Sequence, residues 1–127
     1  MNYGDFIATV RDRGEYLSVE EADQVTRTVL HQLGQRLGAH APHLAAQLPR
    51  ELKDAVASSD GNAHSHGVHA FLRDLSSQLN ATGETARWDA SAVLSTTADA
   101  VSGGELNQIL SQLPAAYAPL FGKADLA

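Results

Sequence analysis

The chain is 127 residues long, 43% hydrophobic and 19% charged, with a formal net charge of -6. That length and composition fit a single cooperative domain with a real core, and exclude both intrinsic disorder and two independently stable domains. The absence of cysteine excludes disulfides, thiolate metal sites and a cysteine nucleophile, and 6% aromatic content leaves a mostly aliphatic core.

The acid excess is spread over the chain, with 6 basic against 8 acidic residues in 1–57 and 3 against 7 in 58–127. Neither half offers the Lys/Arg-rich face that neutralises phosphates along a duplex, which argues against a nucleic-acid partner. The opening segment carries Asp5, Arg11, Asp12, Arg13 and Glu15 where a secretory signal needs an unbroken apolar stretch. No segment approaches the ~20 apolar residues of a membrane span, so a cytoplasmic location is expected.

In chain order, Tyr3, Phe6, Ile7 and Val10 recur at helical spacing, and Ala22, Val25, Val29, Leu33 and Leu37 do the same behind a capping box, Ser18 with Glu21. Pro42, Pro49 and Pro114 each precede a short apolar stretch, as expected of a proline in a first helical turn. Phe71, Leu72 and Leu75 open a second series, followed by Ala86, Ala90, Val93, Leu94, Thr97 and Val101, then by a capping box at Ser102 with Glu105. Tyr117, Leu120 and Phe121 close it as a further core face. No stretch alternates with period two between turn signals, so the fold class is all-α.

The second series repeats the first. Phe6 and Phe71 stand 65 residues apart, as do Gln47-Leu48-Pro49 and Gln112-Leu113-Pro114. The same offset pairs Ile7 with Leu72, Val10 with Leu75, Val29 with Leu94, Gly38 with Gly103 and Leu44 with Ile109. One ungapped offset that keeps apolar positions apolar over about fifty residues marks a duplicated unit. The expected organisation is one domain, 1–127, with repeat 1 at 3–57, a linker at 58–67 and repeat 2 at 68–121. Each repeat is expected to contribute four helices to a bundle with a shared core about a pseudo-two-fold axis, because ~55 residues alone bury little apolar area.

A short Phe-bearing helix, the capped segment Ser-Val-Glu-Glu-Ala-Asp (18–23) and the closing Leu-Ala-Ala-Gln-Leu-Pro-Arg-Glu-Leu (44–52) together resemble the bacterial family known as domain of unknown function 2267. The resemblance spans roughly Met1 to Phe121 and includes the second copy Ile109-Leu110-Ser111-Gln112-Leu113-Pro114. It implies a two-repeat helical protein of the bacterial cytoplasm, and it brings no catalytic residue or cofactor with it. Thr82-Gly83-Glu84-Thr85-Ala86 departs from the acidic capping stretch expected at the second long helix, and the histidine-bearing linker lies outside the shared pattern.

Chemistry-bearing constellations are few. His64, His66 and His69 form H-x-H-x-x-H, a spacing that brings three imidazoles to one zinc, nickel or copper ion; a solvated Ser/Gly/Asn linker explains the same residues without a ligand. His31, His40 and His43 read as surface polar residues near a helix junction, or as a second weak metal site. No nucleophile-elbow or phosphate-loop spacing is present, and Asp99 with Glu105 makes a poor carboxylate pair because the cap already uses Glu105. An enzyme would require a polar pocket between the repeats.

Trp88 stands two residues from Ala90, which turns it about 200° from its helix's apolar stripe. Exposed, it would mark a partner surface; the expectation is that it tucks beneath the first helix of its own repeat. The function this supports is a non-catalytic interaction module that contacts a protein partner or a second copy of itself, with metal binding through His64, His66 and His69 as the alternative.

Overall fold

The structure is a computed structural model that describes residues 1–57 and 67–123. Helix starts follow side chains able to accept from otherwise unpaired backbone N–H groups. Asn2 accepts from the N–H of Asp5 at 2.7 Å and starts α1 (Tyr3–Gly14). Ser18 accepts from Glu21 at 3.1 Å and starts α2 (Val19–Leu37), which ends at Gly38 with φ 53°. A 3-10 turn (Gly38–His40) leads into α3 (Ala41–Gln47), with Pro42 in its first turn; a second 3-10 turn (Arg50–Leu52) follows Pro49 and runs into α4 (Lys53–Ala57).

The second half has α5 (Val68–Leu79), then α6 (Gly83–Ala100) capped by Thr82, and α7 (Gly103–Ser111) capped by Ser102. Thr82 thus fills the cap that the sequence lacked in acidic form. The half closes on a 3-10 helix, Ala115–Phe121, rather than on a fourth α-helix. Pro119 lies inside that segment and has no N–H to give to the carbonyl four residues back, so the tighter turn persists. Among the described residues there is no strand, and no helix is long and apolar enough to cross a membrane.

The apolar positions read from the sequence fill the interior. Phe6, Ile7, Val10, Ala22, Val29, Leu33, Phe71, Leu75, Ala86, Ala90, Val93 and Leu94 are all buried, as are Tyr117, Leu120 and Phe121. α1 packs on α2 and also on α6, while α5 packs on α6 and also on α2, and the two long helices touch each other. α4 covers α2, and the closing 3-10 helix covers α6.

The small residues of α6 permit its close fit. Thr96 and Thr97 are fully buried, yet each hydroxyl donates to a carbonyl one turn back, those of Ala92 and Val93, at 2.8 and 2.9 Å. Burial of a hydroxyl paired in this way avoids the cost of an unmet donor. At the other side of the core, the Phe71 ring meets Tyr117 at 5.3 Å between centroids, tilted by 57°, and the Arg36 guanidinium carbon lies 5.4 Å from the Phe71 centroid. Burial pushes the Tyr117 phenol up to about 12, with the charge of Arg36 opposing it.

Candidate functional site

A polar cluster forms where α1 ends. Glu15 takes a left-handed conformation (φ 57°), which turns the chain so that Tyr16 folds back over Gly14. A Cβ at Gly14 would stand 2.1 Å from the Tyr16 ring, so the close approach requires glycine. Folded in this way, Tyr16 donates its hydroxyl to Asp89 of α6 at 2.5 Å. One helical position away, the Trp88 indole N–H donates to the Gly14 carbonyl at 2.9 Å. Gly14 therefore anchors two long-range contacts with α6.

A cavity of about 460 Å³ opens beside this cluster, walled by Tyr16, Glu21 and Gln24 from the first half and by Gln78, Asn80 and Asp89 from the second. Asp89 is only 5% exposed. Burial raises its carboxyl pKa, the hydroxyl of Tyr16 opposes that rise, and the charge of Glu21 adds to it. The Tyr16 phenol is itself raised, first by burial and then by its bond to Asp89. Amides, carboxyls and a phenol, with no cation among them, give a site that accepts hydrogen bonds and favours positive charge. Tyr16 and Asp89 hold one another through this bond.

The raised carboxyl has a consequence for stability. A group that holds its proton more tightly when folded contributes stability that is present below its unfolded pKa and is lost as pH rises through the folded value. Asp89→Asn keeps an oxygen acceptor for Tyr16 and cannot ionise. It is expected to melt a few degrees above the wild type near pH ~8, with the gap closing as the pH is lowered toward ~4. Thermal melts across that range check this; a gap that does not change with pH would show that Asp89 titrates alike folded and unfolded.

Large apolar side chains are exposed at the same end. Leu17 is 95% exposed in the turn after α1, Val19 is 44% exposed at the start of α2, and Trp88 is 50% exposed. Exposed carboxylates adjoin them in the chain or one turn away: Glu15, Glu20 and Glu84.

The model of the family described as Uncharacterized conserved protein (DUF2267) matches residues 3–120. The chain belongs to this family. The DUF2267 match takes in every helix from α1 to α7 and every residue named in the cavity. No curated protein matches the chain.

Within this DUF2267 chain the residues singled out by sequence fall in separate places. Trp88 is half exposed rather than buried, and it reaches α1, the first helix of the other half, because Gly14 offers a carbonyl there. His64 and His66 lie outside the described residues; His69 is exposed on α5 and lines a groove that also holds Arg73 and Arg87. Among the described residues no group of three or more His, Cys, Asp or Glu side chains is placed to hold a metal ion. His40 is not a surface residue: its side chain is 12% exposed, its Nε2 lies 2.9 Å from Glu105, and its ring stacks on His43 at 5.1 Å.

That contact changes the reading of the Ser102 cap. Ser102 accepts from the Glu105 N–H at 3.1 Å, but the Glu105 carboxylate turns to His40, and the Ser102 N–H donates to Gln47 at 2.8 Å. α3 and the 3-10 turn before it are thereby joined to α7 and its cap by two polar links. Asp99 does not pair with Glu105 and instead receives Arg13 at 2.6 Å.

Sequence reasoning missed Tyr16, Asp89, Gly14 and Leu17. One signal was present: Asp89 falls three residues after Ala86 and four before Val93, a carboxylate on the buried stripe of its helix.

Proposed function

We propose that this protein is a non-catalytic helical interaction module whose contact surface is the α1–α2 turn with the adjoining face of α6. The observation that carries the reading is the gathering of Leu17, Val19 and Trp88 at that end, since exposed large hydrophobics cluster at binding surfaces. The occupant it fits is a protein segment with an apolar side chain flanked by positive charge. Glu15, Glu20 and Glu84 adjoin the apolar residues, and the neighbouring cavity offers Glu21 and Asp89 with no cation among its lining residues.

Two tandem units, 3–57 and 68–121, related by an approximate two-fold axis, supply the framework of this proposal. α5 begins and ends 65 residues after α1, and the two left-handed helix ends, Glu15 and Asn80, are spaced alike. His40 and Glu105 are themselves 65 apart and in contact, a relation that positions equivalent under a two-fold achieve only beside the axis.

Trp88 is the sole tryptophan and therefore reports on its own surface. Titration with an amphipathic Leu/Lys peptide is expected to shift its emission to the blue with saturation, while a Leu/Glu peptide of equal length leaves it unchanged. Leu17→Ser is expected to weaken the Leu/Lys titration about fivefold or more with little change in melting temperature, because Leu17 is almost wholly exposed. An emission that responds to neither peptide, or to both alike, would overturn the reading. Concentration-dependent sedimentation with a matching blue shift would replace the basic partner by a second copy of the chain.

A further inference from the structure

A second surface has the opposite chemistry. A groove of about 590 Å³ runs between the outer face of α5 and the first turns of α6, with His69, Leu72, Arg73 and Ser76 on one wall. Gly83, Glu84 and Arg87 form the other. Residues 69, 72, 73 and 76 recur at three- and four-residue spacing, as do 83, 84 and 87, so each wall is one stripe of one helix.

The charge placement is selective. Residues 58–127 hold 3 basic against 7 acidic residues, and two of those three, Arg73 and Arg87, line this groove. The third is Lys123. Among the described residues neither guanidinium has an ion pair or a hydrogen bond, although carboxylates stand near each in the chain. Asp74, next to Arg73, is held by Arg36 at 2.7 Å; Glu84, one turn before Arg87, makes no bond to it. Two open guanidinium forks on facing helices, with an imidazole beside them, outweigh the single carboxylate of Glu84 and leave the groove net positive, which suits an anion.

We propose that this groove binds the phosphate group of a small molecule. Planar guanidinium groups meet phosphate oxygens through paired N–H donors, and a phosphate presents more oxygens and more negative charge to two arginines than a carboxylate does. The Ser76 hydroxyl is committed to the Ala81 carbonyl, which leaves the arginines as the donors, and Leu72 gives the groove an apolar floor for whatever the phosphate is attached to. The volume suits a small organic ligand, within the roughly 300–1,000 Å³ typical of such sites. The groove shares Glu84 with the surface around Trp88, but its two arginines are not used there, so the peptide titration and the phosphate titration test the two proposals separately.

The test is a titration of the full chain at constant ionic strength with inorganic phosphate and with phenyl phosphate, followed through the backbone amide resonances of Gly83 and Arg87. Saturable shifts are expected, with dissociation constants on the order of 1 mM. Arg73→Gln and Arg87→Gln are each expected to weaken binding about fivefold or more, while Arg50→Gln, an exposed arginine outside the groove, leaves it unchanged. Tighter binding of phenyl phosphate would assign the ligand to a phosphate ester that uses Leu72; equal affinity would assign it to the free ion. Shifts that do not saturate, or that all three substitutions reduce alike, would overturn the site and leave only general charge attraction. Because both groove arginines are exposed, circular dichroism of each variant is expected to match the wild type.

Discussion

Phe71→Ala is expected to cost about 4 kcal/mol of stability and to lower the melting temperature by about 15 °C. Phe71 is fully buried, and its ring is shared by two neighbours that arrive from other elements: the Tyr117 ring from the closing 3-10 helix and the Arg36 guanidinium from α2. Truncation leaves a cavity that neither can fill. The Tyr117 hydroxyl is 3.4 Å from the Gly67 carbonyl, and Arg36 is drawn toward Asp74, so both side chains are held from their far ends. Urea unfolding with the slope held common to wild type checks the figure. A loss of only about 1 kcal/mol would mean that the core closes over the gap and that this corner is loosely packed.

Asp74→Ala is expected to cost about 2–3 kcal/mol, most of which returns when Arg36→Met is added. The Arg36 side chain is 1% exposed, whereas Asp74 is 48% exposed and reaches it at 2.7 Å. Loss of the carboxylate leaves a buried cation that keeps its bonds to Gln32 and to the Tyr117 hydroxyl but has no countercharge, and whose Nε has no partner. An unbranched apolar side chain in place of the arginine removes that charge and retains contact with the Phe71 ring. The single cost sits below the usual 3–5 kcal/mol for a severed buried pair because water already screens half of Asp74. If the double variant is as unstable as Asp74→Ala, the arginine matters through its packed stem and not through its charge.

These two expectations rest on residues of different legibility. Phe71 is plain in the sequence, since helical spacing and its counterpart Phe6 both put it in the core. Arg36 is not. It falls three residues after Leu33 on the buried side of α2, and its burial becomes intelligible only with Asp74, Phe71 and Gln32 in view. Caps were readable because they act over three residues: Ser18 and Ser102 each accept from the N–H expected. The fate of Glu105 was not readable, because a residue 65 positions away supplied a better partner than its own helix end.

The candidate site was still less legible. Tyr16 meets Asp89, and Trp88 meets Gly14, across more than seventy residues of chain. No local periodicity encodes such a meeting. Trp88 was visible as a departure from its stripe, but the helix it touches depends on how the halves sit against one another. Leu17 carried no signal at all, since a lone apolar residue in a turn is ordinary. The groove at Arg73 and Arg87 escaped for another reason: net charge summed over a segment hides where its few cations stand.

The packing of α1 on α6 and of α5 on α2 means that the boundary at 57 along the chain is not a boundary in energy. Neither half can open without stripping a face from the other's long helix, so partial unfolding of one half gains no stable intermediate. Amide protons in the middle of α2 and of α6 should therefore exchange through the same global event, with one common opening free energy, whatever the origin of the two segments that share it.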